Sequence, residues 1–446
     1  MAEERAKVGI YTLGCKVNQY ESEAMAEFLQ SHGIDVVSPS ELCDAYIINT
    51  CTVTAESDRK ARQFIRRAIN RNPSALIAVT GCLAESSPQE LKKIAGIDII
   101  VGNAKKLLTV EKLLELLGDK QKLPSPMIFS EDIDSSPFEE MSIKHFDRTR
   151  AYIKIEDGCE NRCTYCIIPS ARGKVRSKLP CKVIEEVRTL TEGGCREIVL
   201  TGIETASYGK DLGNVNLGDI LEEVDKIEGV GRIRLGSLDP SLITPEFAAR
   251  LSKLKNLAPH FHLSLQSGSD RILALMKRKY NSRMAMNAIE LLRKNIPDVK
   301  FTTDIIVGFP GETEEDFRAT VEFVEKAHFL MAHIFPYSKR KGTLAANMQE
   351  QLPEEIKKER LHTLSSVAEK TRMEILKKKS ECPSPIPVLF ETFKDGKAFG
   401  HTSDFIEVAV PSEKPLRSET LYVSLTHTDG NICYGQLYLD KKESII

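Results

Sequence analysis

One stretch limits this 446-residue chain more than any other: Tyr152-Ile-Lys-Ile-Glu-Asp-Gly-Cys-Glu-Asn-Arg-Cys-Thr-Tyr-Cys-Ile-Ile-Pro169. Its cysteines, Cys159, Cys163 and Cys166, are spaced C-x3-C-x2-C. A cubane iron–sulfur cluster takes one thiolate per iron, so three cysteines leave one iron open to a further ligand. Residues 151–155 read as a short strand, and Gly158 permits a tight turn out of it. The three thiols then fall in a loop at a strand's carboxyl end, the edge at which α/β folds place their chemistry. The competing reading is a zinc site. Structural zinc takes four ligands, and the next histidine lies far down the chain.

The length suggests two to four domains. With 62 basic and 64 acidic residues the net charge is −2, so any nucleic-acid contact must come from local patches. Eleven cysteines without a signal peptide point to a reducing compartment, hence a cytoplasmic protein with thiols or metal ligands rather than disulfides. No apolar run is long enough to cross a bilayer, so no membrane partner is expected.

Residues 1–123 read as a first domain. Strands are expected at 7–13, 46–50, 75–80 and 97–101, with helices at 18–31, 55–71, 89–95 and 105–117. This is the pattern of a parallel sheet covered on both faces, a three-layer α/β domain. Cys15, Cys51 and Cys82 each follow one of the first three strands, so their loops leave one sheet edge and can converge on a second cluster. Gly14 and Gly81 precede two of them and allow close backbone approach. The alternative is that these are small buried residues. It is retained for Cys43, Cys181, Cys195, Cys382 and Cys433, which show no such pattern.

The 55–71 helix carries Arg59, Lys60, Arg62, Arg66, Arg67 and Arg71 away from its apolar stripe. This is either a solvated face or a phosphate-contacting surface, with Arg59, Arg62 and Arg66 as RNA-binding candidates. Residues 124–145, rich in Pro, Ser and acids, read as a linker.

A central domain, 146–380, repeats a strand-then-helix unit. Its six strands fall at 151–155, 197–201, 232–236, 260–265, 300–307 and 332–336. Such a chain closes only part of a (βα)6 barrel and leaves one side open to a large substrate. Gly202, Gly308 and Gly311 at the strand ends offer backbone access to a nucleoside. Ser264 and Gln266 offer hydrogen bonds, and Asp304 stands on the fifth strand. The same edge is basic, with Arg162, Arg172, Lys174, Arg176 and Lys178 about the cysteine loop. Lys339, Arg340 and Lys341 lie on the sixth loop, and Lys277, Arg278 and Lys279 form a third group.

After a long amphipathic helix at 353–379, residues 381–446 alternate with period two between turn signals. Strands at 388–392, 398–401, 405–410, 419–426 and 435–439 suggest a small antiparallel β-barrel. Phe393, Lys397, Phe399 and His401 are its RNA-contacting candidates.

The C-x3-C-x2-C spacing, with Tyr165 before the last cysteine, resembles the signature of radical S-adenosylmethionine (SAM) enzymes. Thr12-Leu-Gly-Cys-Lys-Val-Asn-Gln-Tyr-Glu21, Ile48-Asn-Thr-Cys-Thr-Val53 and Val79-Thr-Gly-Cys-Leu83 resemble the three cysteine blocks of the methylthiotransferases. The first block and Phe335-Pro-Tyr-Ser-Lys-Arg340 look most like the branch acting on threonylcarbamoyl-adenosine at tRNA position 37. Lys341 and Leu344 depart from that branch, which has prolines there.

The resemblance implies two [4Fe-4S] clusters, one on Cys15, Cys51 and Cys82 and one on Cys159, Cys163 and Cys166. It implies SAM held near Tyr165, Arg172, Gly202, Ser264, Gln266, Asp304 and Gly308. A TRAM-like RNA-binding module at the C-terminus, the tRNA anticodon loop as partner and a reductant such as flavodoxin or ferredoxin follow with it. The anionic threonylcarbamoyl group would call for cations, with Lys16, Lys339 and Arg340 as candidates. Other expectations compatible with the motifs are a methylthiotransferase acting on isopentenyl-adenosine or a ribosomal-protein aspartate, and an RNA-binding iron–sulfur protein without turnover.

Overall fold

The computed structural model describes residues 5–119, 122–146 and 149–438. The outermost residues of the first and last expected domains, including the end of the strand expected at 435–439, lie outside that set.

The first sheet contains β1 (Lys7–Thr12), β2 (Asp35–Val37), β3 (Ala45–Thr50), β4 (Leu76–Gly81), β5 (Ile99–Val101) and β6 (Met127–Phe129). Its order is β2-β1-β3-β4-β5-β6 and every pair is parallel. Side-chain alternation divides the strands between two apolar layers. Val8, Ile47 and Ala78 pack with Tyr20, Met25 and Leu29 of the Lys16–Ser31 helix. Tyr46, Ile48 and Val79 pack with Ala61, Ile65 and Ala68 of the Ala55–Arg71 helix. The sequence pattern did not disclose β2 or β6. Both are three-residue edge strands, paired on one side and too short to show a period. β6 falls inside the stretch read as a linker, where it pairs with β5.

The central strands are β7 (Arg150–Lys154), β8 (Glu156–Asp157), β9 (Arg176–Ser177), β10 (Glu197–Thr201), β11 (Arg232–Leu235), β12 (Ser237–Leu238), β13 (His260–Gln266), β14 (Lys300–Val307) and β15 (Met331–Pro336). The parallel series β7-β10-β11 continues through Gly236 into β12-β13-β14-β15. The expected third strand is thus one strand broken at Gly236, where an added Cβ would lie 3.2 Å from the hydroxyls of Thr201 and Thr205. β8 and β9 form a separate two-stranded hairpin around the cysteine loop. Among the described strands β7 and β15 have no partner on their outer sides, so the barrel is open there. The helix Lys16–Ser31 packs in the same apolar core as Ile153 and Val187, which joins the first sheet to the barrel.

The last unit is a closed barrel of β16 (Ile386–Lys394), β17 (Lys397–Thr402), β18 (Glu407–Pro411), β19 (Thr420–Thr428) and β20 (Cys433–Leu437), in the order β16-β17-β18-β20-β19. Its pairs are antiparallel except β18 with β20, which run parallel. It docks on the base of the larger barrel through Phe405, which stacks on His260 at 4.5 Å and on His401 at 4.9 Å. Arg150 pairs with Glu391 across the same junction.

Candidate functional site

Cys15, Cys51 and Cys82 follow the carboxyl ends of β1, β3 and β4, as their positions in the sequence require. Cys15 is the N-cap of the Lys16–Ser31 helix and Cys82 opens the Cys82–Ser86 helix. Two glycines bring the loops together. A Cβ on Gly14 would stand 2.8 Å from Cys51 Cβ and 3.2 Å from its Sγ. A Cβ on Gly81 would stand 2.4 Å from the Thr50 carbonyl, and both glycines have positive φ, 109° and 97°. Each of Cys15 and Cys51 has the other two thiols of the trio, or Cys82 and Arg172, among its electrostatic neighbours. Burial and then Cys82 push the Cys51 thiol up to about 12.

Asn18 organises this trio. Its amide donates to the carbonyls of Leu13 and Thr50, both at 2.9 Å, and its Oδ1 accepts from Cys15 Sγ at 3.5 Å. The same Oδ1 accepts from Arg172 at 2.7 Å, and Arg172 Nε reaches Cys82 Sγ at 3.4 Å. Arg172 also pairs with Glu21 at 2.8 Å and Asp157 at 3.1 Å. Lys106, Lys154 and Arg176 complete a buried network in which four cations face these two carboxylates. Burial opposes ionisation of Asp157, but Arg172 and Lys154 hold it at about 2. A buried surplus of positive charge beside three thiols suits an anionic occupant, and a cubane on three thiolates is one.

The second trio lies on one face of one cavity. Cys159, Cys163 and Cys166 line a space of about 570 Å³ together with Arg162, Lys174 and Thr343. Arg278, buried at the start of the stretch between two helices, donates from Nη1 to Cys163 Sγ at 3.2 Å and from Nη2 to Asp239 at 2.9 Å. Burial, then Glu204, pushes the Cys159 thiol up to about 12. Metal binding would replace these protons. Among the described residues no three ligating side chains close around a single metal ion.

Several of the expected residues already meet protein partners. Arg172, expected beside SAM, is fully buried against the first trio. The space an added Cβ would need at Gly202 is filled by Glu156 Oε2 at 2.5 Å, and at Gly308 by Lys357 Cγ at 2.4 Å. Both glycines leave room for a protein side chain on that side. Tyr165 packs with Ile272, Met276, Phe309 and Tyr337. Arg278 meets a cysteine rather than phosphate. Arg340 donates to Asp58 at 2.8 Å and Thr52 at 2.7 Å, so its charge is already paired beside the Cys51 loop. His401 is stacked under Phe405 and bonded to Glu391 at 2.9 Å.

Other expected residues are where a ligand could reach them. Ser264, Gln266 and Asp304 are half-buried on the barrel's inner face, and Lys339 is exposed. Arg59 and Arg66 line an open concavity of about 690 Å³ with Gln63, Arg67, Asn70 and Arg71. Arg62 is half-buried, and Arg59 is paired with Glu56 at 2.6 Å. Lys397 lies 5.3 Å from the Tyr434 ring centre, and His427 stacks on that ring at 4.8 Å. Sequence reasoning missed Tyr434, His427, Asn18 and the buried Glu156, whose carboxyl burial pushes well above the usual carboxylate range. Asn18 carried a usable signal, standing one helical turn after Cys15.

Two family models match the chain, "Radical SAM superfamily" over residues 153–324 and "Uncharacterized protein family UPF0004" over residues 7–102. Among solved structures, the radical S-adenosylmethionine methyltransferase TsrM from Kitasatospora setae matches with a TM-score of 0.56. It is 16% identical, with 77% of each chain covered, a likeness of fold alone. The threonylcarbamoyladenosine tRNA methylthiotransferase MtaB of Bacillus subtilis is 40% identical, covering 94% of each chain. MtaB of Thermotoga maritima is 43% identical over 81% of each. The tRNA-2-methylthio-N(6)-dimethylallyladenosine synthase of Moorella thermoacetica is 34% identical over 98% of this chain and 99% of its own. The chain belongs to the radical SAM methylthiotransferase family, in the branch of its MtaB relatives.

Proposed function

We propose that this chain adds a methylthio group to C2 of N6-threonylcarbamoyladenosine at tRNA position 37. The observation that carries the reading is the junction of the two cysteine trios. Arg172 stands six residues after Cys166 and yet hydrogen-bonds Cys82, which supports reading the two trios as parts of one site. The names of the MtaB relatives supply the substrate.

In this reading Cys15, Cys51 and Cys82 would hold one [4Fe-4S] cluster and Cys159, Cys163 and Cys166 the other. With SAM bound, these clusters would supply the radical and sulfur-transfer chemistry that an unactivated C2–H bond requires. The protein's own residues orient and enclose. Asn18 and Arg172 fix the first trio, and Arg278 fixes Cys163. Ser264, Gln266 and Asp304 present hydrogen-bonding groups to the lumen. The exposed arginines of the Ala55–Arg71 helix contact RNA phosphates, and Lys397 and Tyr434 give a base a cation and a ring to stack on. No described helix is long and apolar enough to cross a membrane. A cytoplasmic location and a flavodoxin- or ferredoxin-like reductant complete the proposal.

Nucleoside mass spectrometry of tRNA from a deletion strain tests it. Loss of the methylthio form of threonylcarbamoyl-adenosine, restored by the gene, is expected. Its persistence, with loss of methylthio-isopentenyl-adenosine or of a ribosomal-protein mark, would assign the chain to another branch.

A further inference from the structure

The barrel lumen contains a polar well that the cysteine chemistry does not use. Its wall is built by strand register. Asp304 stands opposite His333 across β14 and β15, and His262 opposite Thr302 across β13 and β14. His262 Nδ1 meets Thr302 Oγ1 at 3.0 Å, and its Nε2 lies 3.3 Å from Asp304 Oδ2. His333 is exposed and Asp304 is 35% exposed although both sit mid-strand, so solvent reaches this wall. Its floor is Phe405, with the Arg234 guanidinium 4.7 Å from the ring centre and His260 stacked at 4.5 Å.

Two observations call for an anion. First, Lys16 opens the Lys16–Ser31 helix with its ammonium half-buried among like charges. Arg234 and Arg150 are its foremost charged neighbours, ahead of the Cys15 thiol and the Glu197 carboxylate, and it is itself a charged neighbour of His260 and His333. Among the described residues no hydrogen bond or ion pair reaches that ammonium. A partly buried cation beside other cations is unfavourable until an anion joins it. Second, Arg150, Arg232 and Arg234 share the Glu197 carboxylate, at 3.6, 2.8 and 2.7 Å, and Glu391 pairs with Arg150, so with Lys16 the cations at this floor outnumber the carboxylates paired to them.

We propose that this well receives the anionic amino-acid arm of the modified adenosine, with Lys16 pairing its carboxylate and Asp304 and His333 taking its hydroxyl. The inference rests on the substrate proposed above. The well holds a carboxylate of its own, Asp304, which disfavours a phosphate dianion and suits a monoanion that also carries a donor. SAM also bears a carboxylate. Lys16, however, adjoins Cys15 of the first trio, whereas the cavity at the second trio is bounded by Arg162 and Lys174. The adenine would then lie between the trios with its N6 arm directed down the lumen.

The test is binding of two anticodon stem-loops, one with threonylcarbamoyl-adenosine and one with plain adenosine at position 37, by fluorescence anisotropy on cluster-loaded protein. SAM binding is measured beside them by equilibrium dialysis. The parent should prefer the modified loop by about tenfold or more, and Lys16→Gln should bring that ratio close to one. Lys16→Gln should leave SAM and the plain loop within about twofold of the parent, and Lys16→Arg should keep most of the preference. Asp304→Asn, which removes a repelling charge, should raise the ratio. The proposal falls if Lys16→Gln keeps the parent's ratio, or if SAM binding is lost in place of the preference. Should Lys16→Gln load less iron than the parent, Asp304→Asn decides, and an unchanged ratio overturns the proposal. The substrate reading fails separately, if the parent neither prefers nor methylthiolates the threonylcarbamoyl loop.

Discussion

Arg172 Nε lies 3.4 Å from Cys82 Sγ, with the guanidinium fully buried and its other nitrogens on Asn18, Glu21 and Asp157. A cation donating to a thiolate stabilises the more negative state of whatever that thiolate holds. Arg172→Gln should therefore lower the reduction potential of the first cluster by about 60 mV, a tenfold change for one electron. Arg172→Lys should lower it less. The measurement is a redox titration followed by electron paramagnetic resonance, in a chain with Cys159, Cys163 and Cys166 replaced by Ala. An unchanged potential in Arg172→Gln would remove Arg172 from the cluster's surroundings.

The buried network has a signature in acid. Asp157 is held at about 2 in the folded protein against about 4 in an unfolded chain. A depressed carboxylate stabilises the fold fully above its unfolded value, and that contribution is lost as pH falls from about 4 to about 2. It amounts to roughly 2 kcal/mol. Urea midpoints followed by circular dichroism should fall across that window, and Asp157→Asn should flatten the fall while lowering stability at neutral pH. Equal acid profiles for the two proteins would contradict the ion-paired assignment.

The C-terminal barrel offers a stacking platform in Tyr434, His427 and Lys397. Base stacking on an aromatic ring contributes about 1–3 kcal/mol, so Tyr434→Ala should weaken binding of single-stranded RNA by about five- to a hundredfold. Lys397→Ala should reduce the salt dependence by about one unit of slope. Titrations at several salt concentrations separate the two, and wild-type affinity in both variants would place the RNA elsewhere.

The architecture was largely legible because its signals are periodic. Strands and helices alternate, and cysteines follow strands, so the two trios could be placed before any contact was known. What stayed hidden depended on partners distant in sequence. Arg340 belongs to a basic run, but Asp58 lies 282 residues away and neutralises it. Arg278 stands between two lysines, yet its guanidinium turns inward to Cys163. Gly202 and Gly308 carry no mark of the Glu156 and Lys357 side chains that fill the space beside them. β6 had neither length nor alternation, and only its pairing with β5 defines it.

The central claim is two separate cysteine trios, each holding one cubane. Iron and sulfide should be counted, with Mössbauer spectra, in anaerobically reconstituted protein and in the Cys15, Cys51 and Cys82 triple-alanine variant. The account predicts about eight irons per chain in the parent and about four, still in cubane form, in the variant. About four irons in both proteins would contradict it.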